Sequence, residues 1–366
     1  MDLDARVEAW ASLQLIPGLS TRALFTLLKA FGGPVELRAA SRESLTRFVP
    51  VDLAEAIRRG PDPAQLERTM KWLGAPDRWL IAWDDTHYPA ALLTLPDPPA
   101  AFCYVGRREL LNRPTLAIVG SRNATPQGIE HAEAFAAALS DAGLTIISGL
   151  ALGIDAAAHR GGLAGASSSI AVVGTGLDRV YPPANRDLAK RLAEEGGLLS
   201  EFALGTPPLP ANFPQRNRII SGLARGVLVI EATLNSGSLI TARLAADQGR
   251  EVFAIPGSID SPFSKGSHRL IRDGAKLVET AVDVLEELGL GAQARTEAGA
   301  PDRRGSPAAA GAAGRVLAAL GYELAGIDVL TARTGLPTEA IAAALVELEL
   351  SGQVAPLPGG NYQRLR

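Results

Sequence analysis

Thr115-Leu-Ala-Ile-Val-Gly-Ser-Arg122 is the stretch that decides the fold. Its first five residues are apolar or β-branched without alternation, which predicts a strand buried on both faces. The strand runs out into Gly120-Ser121-Arg122, and Thr125-Pro126 marks the start of a helix soon after. The same grammar recurs. Short apolar runs lie at 144–147, 170–173, 227–230 and 252–255, with Ala-rich helical segments at 126–142 and 239–248 among them. Strand–helix alternation predicts an α/β domain over 76–289 with a Rossmann-like, doubly wound parallel sheet.

Outward from this core the texture changes. Residues 1–75 read as an N-terminal helical module of SAM or helix-hairpin-helix type. Ile16-Pro17-Gly18-Leu19-Ser20 separates two apolar-periodic segments, 7–15 and 22–31, with Ser20 placed to cap the second. This resembles small hairpins that grip a DNA backbone through a glycine turn. An ordinary helical bundle fits the same pattern. Residues 290–313 lack periodicity and bulky apolar side chains, which predicts a flexible linker. Residues 314–366 read as a winged helix. Helices are expected at 316–320, 327–334 and 338–350, then a hairpin around Pro358-Gly359-Gly360.

Composition narrows the function. For 366 residues the domain prior is about two to three. The formal charge of −3 excludes a globally basic coat, so a nucleic-acid partner must meet a local basic patch. One cysteine, Cys103, excludes an intramolecular disulfide and a Cys-rich zinc site. The four histidines are scattered, so no metal is expected. No apolar stretch is long enough to cross a bilayer, and Met1-Asp-Leu-Asp-Ala-Arg6 lacks a signal-peptide pattern. A soluble, cytoplasmic protein is expected. No GxxxxGK[ST] occurs, and Gly174-Thr-Gly-Leu-Asp-Arg179 puts Arg where the dinucleotide fingerprint needs a small residue. No cofactor is expected.

Ligands of doubly wound sheets sit at the carboxyl ends of the strands. Four such ends here carry glycine, at Gly120, Gly149, Gly174 and Gly257, which predicts an anion-binding rim. Beside Gly120, Ser121 and Arg122 suit a phosphate oxygen; pairing of Arg122 with a local carboxylate is the alternative. Asp155 and His159, at i and i+4, are an acid–base couple on spacing alone, with capping the blander reading. The richest polar stretch is Ala211-Asn-Phe-Pro-Gln-Arg-Asn-Arg-Ile-Ile-Ser-Gly222. Arg216 and Arg218 can neutralise phosphates, with Phe213 as a stacking face. Against that, Phe213 fits a core position and Asn217 a helix cap.

Together, Gly120-Ser121-Arg122, Ser148-Gly149-Leu-Ala-Leu-Gly-Ile-Asp155 with His159, Phe213-Pro-Gln-Arg-Asn-Arg-Ile-Ile-Ser-Gly222 and Ser236-Gly-Ser-Leu-Ile-Thr-Ala242 resemble the DNA-processing protein DprA (Smf) family. Asp85-Thr-His-Tyr-Pro89 and Asp97-Pro-Pro99 fit it too. The resemblance is dense over 80–285 and looser in the flanking modules. It implies a non-enzymatic recombination mediator. Such a protein binds and protects incoming single-stranded DNA and loads RecA during transformation or recombination. It acts as a homodimer, and single-stranded-DNA-binding protein is a further candidate partner. By the same resemblance, Gly120, Ser121, Arg122, Gly149, Gly174, Phe213, Gln215, Arg216, Asn217 and Arg218 form the DNA site. Leu270 and Ile271, in Ser267-His-Arg-Leu-Ile271, are the self-association candidates.

Two features depart from the family pattern. Thr206-Pro-Pro-Leu-Pro-Ala211 stands where many relatives carry a Lys. This predicts one positive charge fewer and a shallower salt dependence. The third helix of the tail carries Glu339, Glu347 and Glu349 and no Lys or Arg, so it is expected to contact protein rather than DNA. Two other functions fit less well. A nucleotide phosphoribohydrolase-like enzyme would depend on Glu231 or Asp155, and a winged-helix regulator would need a basic third helix.

Overall fold

The structure is a computed structural model that describes residues 3–290, 311–321, 324–357 and 359–365. Helices α1 (Leu3–Gln14), α2 (Thr21–Phe31), α3 (Pro34–Ala39), α4 (Arg42–Leu45), α5 (Val51–Arg59) and α6 (Pro63–Leu73) come first. Ser20 caps α2, its Oγ accepting the Ala23 N–H at 3.2 Å. Trp10, Leu13, Leu27, Leu37, Leu45 and Ile57 form the core of this module. Ala82, Ala100 and Ala101 complete that core, so the helices share it with the edge of the sheet that follows.

The central sheet has nine strands. They are β1 (Arg78–Ala82), β2 (Ala101–Gly106), β3 (Thr115–Val119), β4 (Thr145–Ser148), β5 (Ser169–Val172), β6 (Gly197–Ser200), β7 (Gly226–Val229), β8 (Glu251–Ala254) and β9 (Lys276–Leu277). Their order is β1-β2-β6-β5-β4-β3-β7-β8-β9. From β6 to β9 the pairing is parallel, while β1 and β2 add an antiparallel edge. The five expected strands appear within a residue of their expected bounds. β1, β2 and β6 carry no dense β-branched run, and β9 has two residues, so pattern alone does not mark them.

The helices of this region are α7 (Pro126–Asp141), α8 (Ile154–Ala164), α9 (Arg186–Glu195), α10 (Asn212–Leu223), α11 (Ser238–Asp247), α12 (Lys265–Arg272) and α13 (Ala281–Glu287). They cover both faces. Within β3, Leu116 and Ile118 face the layer of α7, α8 and α13, while Ala117 and Val119 face the layer of α10 and α11. This period-two division is why the strand reads as continuously apolar. The sheet is doubly wound because the chain adds strands on one side of β3 up to β6, then returns to its other side at β7.

The tail consists of α14 (Ala312–Leu320), β10 (Leu324–Gly326), α15 (Ile327–Thr334), α16 (Thr338–Leu350), β11 (Val354–Leu357) and β12 (Asn361–Arg364). With the small sheet β10-β12-β11 it is a winged helix. The linker expected at 290–313 falls, over 291–310, outside the described residues. At its margins, Leu290 packs on the core and Ala312 and Ala313 already belong to α14. The contacts of the winged helix with the α/β region include a matched amide pair, and Leu324, Val329 and Arg333 share a cleft with Thr125, Gln127 and His131. Gln363 Nε2 donates to Gln127 Oε1 at 2.8 Å, and the Gln127 N–H donates to Gln363 Oε1 at 3.4 Å.

Candidate nucleic-acid interface

The winding direction reverses between β3 and β7, and a doubly wound sheet offers its ligand crevice at that reversal. A cleft of about 690 Å³ opens there. The β3–α7 loop contributes Gly120, Ser121, Arg122 and Asn123. α10 contributes Phe213, Arg216, Asn217 and Ile220, at the helical spacing that puts them on one face. The β7–α11 loop contributes Thr233, Asn235, Ser236 and Gly237, and α11 itself Ser238 and Thr241.

Arg122 is exposed and makes no ion pair among the described residues; the local-carboxylate alternative is not realised. Its guanidinium lies 5.6 Å from the centre of the Phe213 ring. Phe213 in turn lies 5.9 Å from Tyr181, with the rings tilted by 39°. The three make a cation–aromatic strip along the cleft wall, and Tyr181 is 44 % exposed. Ser121 is turned inward. Its N–H donates to the Glu231 carbonyl at 2.8 Å and its Oγ accepts from the Asn123 N–H at 3.2 Å. Ser121 therefore shapes the loop that presents Arg122.

Arg216 is 4 % exposed and lies at the floor. Its guanidinium donates to the Gly149 carbonyl at 2.6 Å and to the Val172 carbonyl. Its Nε has no partner among the described residues. An unmet buried donor costs about 1–3 kcal/mol, so this group favours an acceptor delivered through the cleft. Burial pulls the Arg216 pKa down to about 10, Asp155 opposes this, and nearby Arg122 adds to it. The group stays cationic at neutral pH. On the opposite side, α11 begins at Gly237 with no side-chain cap, and the space where a Gly237 Cβ would sit is open. Its first-turn amides are engaged locally, Ser238 N–H with Ser236 Oγ at 3.4 Å and the Leu239 and Ile240 N–H groups with the Ser236 and Gly237 carbonyls at 3.1 Å, so the turn offers an anion its hydroxyls and the positive end of the helix dipole.

The glycine rim works differently from the sequence expectation. Among the four glycines only Gly120 lines the cleft. A Cβ at Gly149 would collide with the Arg216 guanidinium, and one at Gly120 would press on Ile154 and the Glu231 carbonyl. At Gly174 it would meet the Phe213 ring at 3.1 Å, and at Gly257 the Ser264 side chain. These glycines admit protein atoms, not ligand. The Gly149 N–H is also taken, donating to Asp155 Oδ2 at 3.1 Å.

Two further expected site residues lie apart. Arg218 does not line the cleft. Both Glu201 carboxylate oxygens accept from its Nη2 at 2.6 Å, and Asp97 lies 3.7 Å from its Nε. Gln215 is exposed on α10 outside the cleft lining. Asn217 sits in the second turn of α10 and so caps nothing. Asp155 and His159 are buried and committed to the chain. Asp155 accepts the Gly149 and Ala151 N–H groups. His159 Nε2 accepts the Leu150 N–H, and its Nδ1 meets Ser169 Oγ at 2.7 Å. Ser169 spends its proton on the Ile146 carbonyl, so His159 is neutral with its proton on Nδ1. Leu270 packs on the sheet-side core from α12, and Ile271 beside it is half-buried. The Ser236-Gly237-Ser238 turn and Thr241 were not counted as site residues from sequence. A Gly between two hydroxyls just before a helix was the available signal.

Comparison with known proteins places these features. Residues 79–289 match the model of a family described as DNA recombination-mediator protein A. Residues 300–360 match that of the DprA winged helix domain. Protein Smf of Escherichia coli is 45 % identical over 307 residues, covering 82 % of this chain and 81 % of that protein. DNA processing protein DprA of Streptococcus pneumoniae is 48 % identical over 203 residues, 56 % of this chain and 72 % of that protein. Its solved structure superposes with a TM-score of 0.69 at 37 % identity, covering 76 % of this chain and 97 % of that one. The solved structure of DNA processing protein A from Helicobacter pylori, reported for its single-stranded DNA binding mode, superposes with a TM-score of 0.53 at 30 % identity. It covers 58 % of this chain and 95 % of that one.

Proposed function

The chain belongs to the DNA recombination-mediator protein A family, and on that premise we propose that it binds single-stranded DNA in the cleft between β3 and β7. The observation that carries this reading is the Arg122–Phe213–Tyr181 strip sharing one cleft with the Ser236-Gly237-Ser238 turn at the start of α11. A phosphate is placed beside the Arg122 guanidinium and the hydroxyls of the Ser236-Gly237-Ser238 turn, over the buried cation of Arg216. A base lies on the aromatic faces of Phe213 and Tyr181. Stacking of this kind is sequence-tolerant and contributes about 1–3 kcal/mol per base.

The role is that of a mediator without a chemical step. The groups that a phosphoribohydrolase would use are engaged within the protein. Asp155 and His159 hold the β4–α8 loop. Glu231 accepts the Thr125 hydroxyl at 2.6 Å and the Thr125 N–H at 3.0 Å. Such a protein protects the strand and hands it to RecA, in transformation or in repair recombination. It does so as a homodimer that associates through Leu270 and Ile271 on α12, and single-stranded-DNA-binding protein is a further partner.

Fluorescence anisotropy with labelled single-stranded and duplex oligonucleotides over a salt series tests the site. Arg122→Ala should weaken single-strand binding about tenfold and flatten the salt slope by about 0.7. Preference for duplex, or equal binding by the variant, sinks the reading.

A further inference from the structure

A second basic groove of about 500 Å³ lies between α2 and the loop Pro96-Asp97-Pro98. Arg22, Phe25, Thr26 and Lys29 line its helical side. Arg22 and Lys29 are exposed and make no ion pair among the described residues. Seven residues apart, they stand about 10 Å from each other along the helix, on one face. Between them Phe25 is held edge-on against Trp83, with ring centres 5.6 Å apart. Lysine is scarce in this chain, so an unpaired Lys29 beside Arg22 and an ordered aromatic is a concentrated feature. The opposite wall carries one acid, Asp97, and its charge is partly met by Arg218 at 3.7 Å.

The groove is tied to the cleft helix through Asp97. Asn217 of α10 lines the cleft, and its neighbour Arg218 reaches Asp97 in the groove wall. One ion pair therefore links the groove wall to the helix that lines the cleft. We propose that the α2 groove is an extension of the single-strand path, in which Arg22 and Lys29 hold phosphates of the strand after it leaves the cleft, with Phe25 as an apolar contact. This rests on the assignment of the cleft to single-stranded DNA. Cations tracking a backbone beside an aromatic side chain are what a sequence-tolerant strand requires.

The proposal separates short strands from long ones. A short oligothymidine of about 8 nucleotides fills the cleft alone, and one of about 35 nucleotides spans both sites. In the full chain, Arg22→Ala/Lys29→Ala should leave the short oligonucleotide unaffected. It should weaken the long one about tenfold and flatten its salt slope by about 1.4, two single-strand phosphate contacts. Arg22→Gln/Lys29→Gln should repeat this, since both side chains are exposed and their loss opens no core. An unchanged long-strand affinity and slope, with Arg122→Ala still impaired on both lengths, overturns the groove and leaves the cleft standing. Equal loss on both lengths also overturns it. Full binding by Arg122→Ala on both lengths fells the cleft assignment itself. If polyglutamate binds wild type but not the double variant, while the long-strand slope is unchanged, the groove belongs to an acidic peptide.

Discussion

Arg216 and Arg218 stand two positions apart on α10 and have opposite fates. Residues at i and i+2 point to opposite sides of a helix, so the two cations cannot share one pocket. Arg216 faces the cleft with Phe213 and Ile220, while Arg218 turns toward Glu201 and Asp97. Phe213 carries a prediction at this scale. Phe213→Ala should weaken single-strand binding by about 1–3 kcal/mol, read by anisotropy, with the salt slope almost unchanged because no charge is lost. His159 carries another. Burial, with Arg216 and Arg160 adding to it, pushes its pKa down from 6.5 to about 3. Below pH 6.5 the unfolded chain takes up a proton there that the folded chain refuses. Stability therefore falls as pH drops through that range, by at most about 1.4 kcal/mol per pH unit. Burial raises the pKa of Asp155, Glu201 and Glu231, which act with the opposite sign. The contribution is isolated as the difference between wild type and His159→Gln in urea unfolding between pH 7 and 5. A parallel pH dependence in the two proteins would refute it.

At the scale of elements, the start of α7 ties the sheet to the cleft. Thr125 caps the helix, its Oγ accepting the Gly128 N–H at 3.0 Å, and its hydroxyl proton goes to Glu231. Glu231 follows β7, so this one side chain locks the two strands that bracket the crevice. Thr125→Ala should cost about 1–2 kcal/mol in thermal or urea unfolding, at the upper end for an N-cap because Glu231 also loses a partner. Thr125→Ser should restore most of it. The cap was legible, since Thr before Pro is a helix-start pattern. The partner was not, since Glu231 lies over a hundred residues downstream and meets Thr125 only across the sheet.

At the scale of the molecule, the helical module, the sheet and the winged helix are joined by very different contacts. The module shares an apolar core with β1 and β2, whereas the winged helix meets the α/β region across a cleft that includes the polar Gln127–Gln363 pair. The exposed face of α16 carries Glu339, Glu347 and Glu349 together with Val346 and Leu350, which are 56 % and 86 % exposed. No described helix is long and apolar enough to cross a membrane. Self-association belongs to this scale. In the proposed homodimer, Ile271→Glu should shift sedimentation velocity from dimer to monomer, with a retained circular-dichroism signal separating this from unfolding, since the neighbouring Leu270 packs on the core. A wild-type chain that sediments as a monomer at all concentrations would rule the α12 dimer out.

What the sequence determined by itself is the grammar of the core. Unbroken β-branched runs ending in glycine, with helices between them, leave few arrangements other than a doubly wound parallel sheet, because each run must be buried on both faces. Local chemistry also fixed the caps at Ser20 and Thr125 and the spans of α15 and α16, while α14 begins four residues earlier than its periodicity indicates. The tertiary structure alone decided which side chains meet. It buried Arg216 under the cleft, turned Arg218 away, filled the glycine gaps with protein atoms and brought the Ser236-Gly237-Ser238 turn opposite Arg122. Periodicity records which face a residue occupies within its own element. It carries no information on which distant element that face will find, and a binding site is built from such distant meetings.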